Sequence, residues 1–296
     1  MVRCPQHPDA GQLDLPVVSA GCGANGVCEV KCPVCGLAYP VVHGIVDMLG
    51  PLPPTDSTAF LDAESEQWDH HTSRYDEGRS RDLVYMNCLR AGLRALAAQR
   101  GDLILDAGCG TGMGTRLLHH SAVSTVAADL SMASLEYLSK QVTVPGISFV
   151  RADVCRLPFA SRVFDRLVCA NVLQHIPSWD LRQRCVEQFA RVVRPGGTVV
   201  VTVHGFSISK RRAGWQKEGT ARSSSGDVQY IYRYEAQEFR DLLARNLRVQ
   251  SITGAGLPLP YRLKLSPLSL VLERVLSRLQ RSAPWGHMLV AKCLVD

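Results

Sequence analysis

The ten residues Leu103 to Gly112 read LILDAGCGTG, and they constrain the fold of this chain more than any other stretch. Three apolar residues make a short buried strand, which Asp106 closes. Gly108, Gly110 and Gly112 then turn the chain tightly into a helix carrying Leu117 and Leu118. Glycine is needed where a backbone must bend sharply and let a ligand come close. A glycine turn after a first strand is, alone, a weak sign of a nucleotide-binding loop. The order of parts downstream sharpens it. TVAADLS ends a second strand at Asp129, about 20 residues past the glycines, the place for a carboxylate that holds ribose hydroxyls. SFVRADVCRLPF ends a third strand near Asp153. FDRLVCANVLQHI runs a fourth strand into a polar turn, and RVVRPGGTVVVTV is a helix end, a Pro-Gly-Gly turn and a fifth strand.

Strands alternating with helices predict an α/β fold: a Rossmann-like, mostly parallel sheet with helices on both faces. Ligands of such sheets sit at the carboxyl ends of the strands. Asp106, Asp129, Asp153 and Asn171 all fall there.

With these motifs in this order, the chain from about Leu83 to Val295 resembles the class I S-adenosylmethionine-dependent methyltransferases. The resemblance implies a seven-stranded sheet whose last strand, HMLVAKCLV, inserts antiparallel. It implies that the loop of Gly108, Cys109, Gly110 and Gly112 wraps the methionine part of S-adenosylmethionine, with Asp106 beside it. It places Asp129, followed by Leu130, on the ribose, Asp153 and Val154 near the adenine, and the turn from Asn171 through Gln174 to His175 facing cofactor and acceptor. Methyl transfer from a sulfonium is an in-line displacement, so such a protein mainly aligns the reactants and excludes water. An acceptor that is a hydroxyl or an ammonium also needs a base. His175 and His204, at the ends of the fourth and fifth strands, are the candidates. The structural reading is the commoner one for a histidine in each position, and Cys109 reads as a small filler of the loop.

Residues 1 to 50 form a different unit. Cys4-Pro-Gln-His7 and Cys32-Pro-Val-Cys35 are two knuckles with a two-residue gap, and together they predict a tetrahedral Cys3His zinc site. The segment resembles the zinc-ribbon module that accompanies certain methyltransferases, with His7 where many relatives have cysteine. Cys22 and Cys28 are alternative ligands. A unit this short has little core, so a structural Zn2+ would supply much of its folding energy. Residues 51 to 82 read as a proline-rich linker and a charged cap helix. In the resembled family that segment folds over the cofactor, which makes Tyr75 a candidate contact. Residues 83 to 296 are the catalytic domain, interrupted at about 205 to 234 by a long polar, basic insertion placed above the strand ends.

Charge and cysteines bound the rest. The eleven cysteines are an odd number, several within predicted strands and helices, which argues against a disulfide framework. No apolar run approaches the roughly eighteen residues of a membrane span, and the start has no signal-peptide core, so a cytoplasmic protein is expected. The net charge of +6 is uneven: residues 205 to 283 hold 14 Lys and Arg against 6 Asp and Glu. A basic third suits a solvated surface, nucleic acid, an anionic membrane or an acidic substrate. SPLSLVLERVLSRLQR is a basic amphipathic helix that packs on the sheet or on a second copy, which leaves a homodimer open. The expected acceptor is a small molecule, as in secondary-metabolite or quinone tailoring, with ribosomal RNA as the alternative. The acceptor atom (oxygen, nitrogen or carbon) is not legible. Two rival readings stand beside this one. A nicotinamide-dependent oxidoreductase shares the first strand but calls for G-x-G-x-x-G. A non-catalytic methyltransferase-like binding protein would have little use for intact cofactor motifs.

Overall fold

The computed structural model describes residues 3–4, 27–49, 72–119, 123–142, 145–222, 228–257, 271, 275–276 and 280–296. Three short strands come first: β1 (Val27–Lys31), β2 (Ala38–Val42) and β3 (Ile45–Asp47). Helices α1 (Thr72–Arg81) and α2 (Leu83–Leu96) follow. The alternating part then runs β4 (Leu103–Ala107), α3 (Met113–His119), β5 (Ser124–Asp129), α4 (Met132–Gln141), β6 (Ile147–Arg151), β7 (Phe164–Ala170), α5 (Trp179–Val192) and β8 (Val193–His204). After it come α6 (Ile208–Arg212), the hairpin strands β9 (Glu218–Arg222) and β10 (Val228–Tyr232), α7 (Ala236–Leu243), β11 (Arg248–Ala255) and β12 (Met288–Leu294).

The main sheet has the order β1-β2-β3-β6-β5-β4-β7-β8-β12-β11. The expected seven strands are the run from β6 to β11. Strands β6, β5, β4, β7 and β8 are parallel, and β12 inserts antiparallel between β8 and β11. The order reverses direction at β4, which makes the carboxyl ends of β4 and β7 a switch point where a ligand crevice opens. What the seven-strand expectation omits is the extension. The N-terminal segment joins the same sheet, because β3 pairs in parallel with β6, Ile45 opposite Phe149 and Asp47 opposite Arg151. The Arg3 amide also donates to the Pro158 carbonyl at 2.8 Å.

The strands are apolar because both faces are covered. Ile104, Leu105, Ala127, Leu167, Val199, Val200 and Val201 have no exposed surface. Asp82 caps α2 by accepting from the amides of Val84 and Tyr85, which satisfies two donors that the helix cannot use itself. The buried face of α2 is Cys88, Leu89, Gly92 and Leu96, whereas Met86 and Leu93 of the expected face are half-buried. The reason is close approach: a Cβ on Gly92 would stand 2.9 Å from Thr202 of β8, so the helix lies on the sheet through its glycine. The Pro-Gly-Gly turn is absorbed into β8 as an irregularity opposite Phe164 to Arg166, with Gly196 in the left-handed region at φ 75°. No helix of the described residues is long and apolar enough to cross a membrane.

Candidate active site

The glycine loop is shaped by steric necessity. Gly108 and Gly112 have φ of 77° and 79°. A Cβ on Gly108 would lie 2.2 Å from Val172, and one on Gly112 would lie 2.1 Å from Leu138. Gly110, at φ 52°, faces open space. Two glycines thus let the loop sit tightly between β7 and α4, and the third leaves room above it.

Asp129, at the end of β5, closes this loop. Its carboxylate accepts from the Gly110 amide at 2.7 Å and from the Ser131 amide at 2.9 Å. The residue expected to hold ribose hydroxyls therefore also fixes the loop expected to hold the amino acid. Asp106 is buried inside β4 and accepts from Thr115 Oγ1 at 2.6 Å. Burial pushes its carboxyl up to about 6. The Thr115 hydrogen bond opposes that shift, and the Asp129 charge adds to it. Asp153 is also buried, which raises its carboxyl, while its Oδ1 accepts from the Cys155 amide at 2.8 Å. Val154 beside it is buried. Leu130 is half-buried and contributes its carbonyl, which accepts from Arg151 Nε at 3.0 Å. The same Arg151 reaches Asp47 at 3.0 Å, so β3 is tied to the segment after β5.

The turn after β7 completes the floor. Asn171 adopts φ 62°, a conformation that asparagine tolerates and most residues do not. Its amide donates to the Thr202 carbonyl at 3.0 Å. Gln174 is buried, and its Oε1 has no partner among the described residues. A buried acceptor without a donor is costly, and a ligand donor in the crevice would satisfy it. His175 Nδ1–H donates to the Tyr230 carbonyl at 2.9 Å, which leaves Nε2 as the basic nitrogen, 3.4 Å from the Gln174 amide nitrogen. His204 ends β8 with its ring 5.2 Å from that of His287. Cys109 is half-buried in the loop and directs its thiol at the Gly110 carbonyl at 3.6 Å.

Sequence reasoning missed how the cap is fastened. It singled out Tyr75, whose side chain lies outside the described residues. The observed link is made by its neighbour Asp76 on α1. The Asp76 carboxylate accepts from Thr111 Oγ1 of the loop and from Arg116 Nη2 of α3, each at 2.9 Å, and from the Tyr137 hydroxyl of α4 at 3.2 Å. The insertion is fastened too, and it is folded. In place of a long polar loop it forms α6 and the β9–β10 hairpin. Arg182 holds the hairpin by donating to the Tyr230 hydroxyl at 2.9 Å while its guanidinium lies 3.9 Å over the Tyr232 ring.

The cysteine cluster gathers at the turn between β1 and β2, on the outer strands of the sheet. The sulfurs of Cys4, Cys32 and Cys35 lie within 4.8 Å of one another. The Cys32–Cys35 knuckle is closed by the Gly36 amide donating to the Cys32 carbonyl at 2.9 Å, and Gly36 takes φ 71° to make the turn. Burial pushes the Cys32 thiol up, but hydrogen bonds with the backbone of Cys35 and Val34 outweigh it and bring the thiol down to about 7. His7 and Cys22 lie outside the described residues, as does the side chain of Cys28 on β1.

Residues 105–201 match the model of the family described as a methyltransferase domain. A demethylmenaquinone methyltransferase of Mycobacterium marinum is 30% identical over 191 residues, covering 62% of this chain and 78% of the relative. The chain belongs to the S-adenosylmethionine-dependent methyltransferases of class I. A second member, the demethylmenaquinone methyltransferase of a Mycobacterium species (strain KMS), is 32% identical over 164 residues, 54% of this chain and 64% of that relative. The match to that methyltransferase therefore spans less than two thirds of its length. Among solved methyltransferase structures, the N-methyltransferase NodS from Bradyrhizobium japonicum, in complex with S-adenosyl-L-homocysteine, has the same fold. Its TM-score is 0.55 at 15% identity, covering 78% of this chain and 98% of that one.

Proposed function

We propose that this protein transfers a methyl group from S-adenosylmethionine to a small-molecule acceptor by in-line displacement. The observation that carries this reading is the double use of Asp129, whose carboxylate closes the glycine loop through Gly110 while standing at a strand end of the switch-point crevice. The residues fit the cofactor. Gly110 faces open space, the buried Gln174 Oε1 awaits a donor, and the Asp106 and Asp129 carboxylates suit a ligand that brings cationic and hydroxyl groups. When bound, S-adenosylmethionine supplies a methyl group already activated by a positively charged sulfur. The chain's part is to orient and to exclude water. The loop from Gly108 to Gly112 with Asp106 binds the methionine end, Asp129 the ribose, and Asp153 with Val154 the adenine end. Asn171 to His175 form the wall toward the acceptor, and α1 covers the crevice through Asp76. The quinone methyltransferases among the relatives support an acceptor of small, unsaturated character.

We also propose a structural Zn2+ on Cys4, Cys32 and Cys35 with His7 as fourth ligand. Three sulfurs within 4.8 Å of one another beside a tight knuckle are three of the four donors of a closed tetrahedral site.

The decisive test of the cofactor site is calorimetry with S-adenosylhomocysteine on the full chain and on Asp129→Ala. Removing a charged hydrogen-bond acceptor is expected to weaken binding by roughly 1.5–3 kcal/mol. Unchanged affinity would refute the role of Asp129. Methyl transfer from labelled cofactor into small-molecule extract rather than into RNA tests the acceptor class.

A further inference from the structure

One cluster of buried charge is not used by the cofactor site. Lys210 on α6 and Arg233 after β10 are 6% and 7% exposed. Neither has a carboxylate partner among the described residues. The Lys210 ammonium donates to two carbonyls, Gly205 at 2.8 Å and His287 at 3.0 Å. An ammonium has three protons, so one donor remains. Arg233 donates from Nη1 to the Gln216 carbonyl at 2.8 Å, and its buried Nε has no partner among the described residues. Both cations approach the ring of Trp215, Lys210 at 5.7 Å and Arg233 at 5.0 Å from its centre. Burying two like charges is unfavourable unless something of opposite sign compensates them.

The space for that compensating group is present. A cavity of about 250 Å³ is lined by Ser207, Ser209, Lys210, Trp215, Trp285 and His287, among others. Trp215 and Trp285, both large rings, are 48% and 43% exposed. The cavity opens beyond the carboxyl end of β8, on the same edge of the sheet as the glycine loop. In the order β4-β7-β8-β12-β11 its near wall, after β8, stands two strands from the loop, and its far wall at Gly256, Trp285 and His287 stands three to four. Adjacent strands are about 4.8 Å apart, so the near wall with Lys210 is offset by about 10 Å, the reach of a two-ring molecule that carries an anion at its far end.

We propose that this cavity is the acceptor's anion subsite. It takes a carboxylate or phosphate at Lys210, with Arg233 behind Trp215 adding to the positive potential. The flat unsaturated body that carries the anion lies against Trp215 and Trp285. The inference rests on the reading of the chain as a methyltransferase of a small molecule, and it narrows that molecule to an anionic aromatic one. The two serines add hydroxyl donors, their oxygens 2.9 Å apart. Burial, with the Arg233 charge, brings the Lys210 ammonium down to about 7, which an arriving anion would reverse. Aromatic stacking fixes the body, while the anion fixes its direction, so a remote charge sets which atom faces the methyl donor.

The test is calorimetry on the full chain saturated with S-adenosylhomocysteine, with 2-naphthoate, 2-naphthyl phosphate and neutral 2-naphthamide as probes. At least one of the two anions is expected to bind ten-fold or more tighter than the amide, and the better one identifies the anion. Lys210→Met is expected to erase that preference, and Trp215→Leu to weaken all three probes several-fold. Retained S-adenosylhomocysteine affinity shows that each variant is folded, and Trp215→Leu carries the test if Lys210→Met is not. Equal binding of anions and amide, unchanged anion preference in Lys210→Met, or binding of an RNA oligonucleotide with none of the naphthyl anions would overturn the proposal. Failure of the wild-type chain to bind S-adenosylhomocysteine would instead strike the methyltransferase reading itself.

Discussion

Asp106 holds a carboxyl group where water cannot reach it, and the consequence is measurable without any substrate. Its carboxyl is raised from an ordinary 3.8 to about 6, because the folded chain desolvates the charged form. The folded protein therefore binds this proton more tightly than the unfolded chain does. The contribution is fully present below about pH 4 and is lost as pH rises through about 6. A shift of about two units corresponds to ~3 kcal/mol of stability, forfeited at neutral pH in the free protein. Asp106→Asn keeps the shape and the acceptor for Thr115 but does not titrate. Urea unfolding of both chains without cofactor, followed by circular dichroism from pH 4.5 to 7.5, isolates the effect, since groups that do not interact with Asp106 cancel in the difference. The variant is expected to gain on the wild type by ~2 kcal/mol across that range, the rest of the ~3 kcal/mol falling below pH 4.5. A difference flat with pH would refute the reasoning. The same charge, unfavourable in the empty crevice, is what a cationic ligand would offset, so S-adenosylmethionine should stabilise the wild type more than the variant at pH 7.5.

Three further outcomes are expected. Gly112→Ala places a Cβ 2.1 Å from Leu138 at a left-handed φ, and it should cost roughly 1–3 kcal/mol in urea unfolding and lose cofactor binding in calorimetry. Asp76→Ala removes the partner of Thr111, Arg116 and Tyr137. It should leave the fold intact, weaken S-adenosylhomocysteine by about ten-fold and expose α1 to limited proteolysis. Cys32→Ser combined with Cys35→Ser should abolish zinc in elemental analysis, where the native chain should carry about one ion; retained zinc would refute the ligand set.

The parallel sheet was legible because its strands are buried on both faces, and their apolar runs alternate with amphipathic helices. The position of Asp129 at the end of β5 is legible because it stands at the spacing a βα unit requires. Other features were hidden for physical reasons. The sequence Lys210-Arg211-Arg212 reads as a solvated basic run, yet a turn of helix buries Lys210 and leaves its neighbours exposed. The β9–β10 hairpin is polar, and its sequence reads as a loop. It buries Gln229, and just beyond it Arg233 is held by the Gln216 carbonyl and the face of Trp215, contacts that no hydrophobic pattern announces. Asp76 was overlooked for the tyrosine beside it because its partners are 35 to 61 residues away. The N-terminal strands read as a separate unit because nothing in their pattern names β6 as a neighbour.

That neighbour relation has a consequence for the chain in solution. An edge strand offers a row of bare amides and carbonyls on which another chain can build. Without β1 to β3, the hydrophobic strand β6 would be such an edge. With them, the outermost strand is β1, whose Glu29 and Lys31 are exposed and discourage pairing. The cysteine knuckle between β1 and β2 thus acts as a clasp on a shield. Opening it should show as self-association, visible in light scattering.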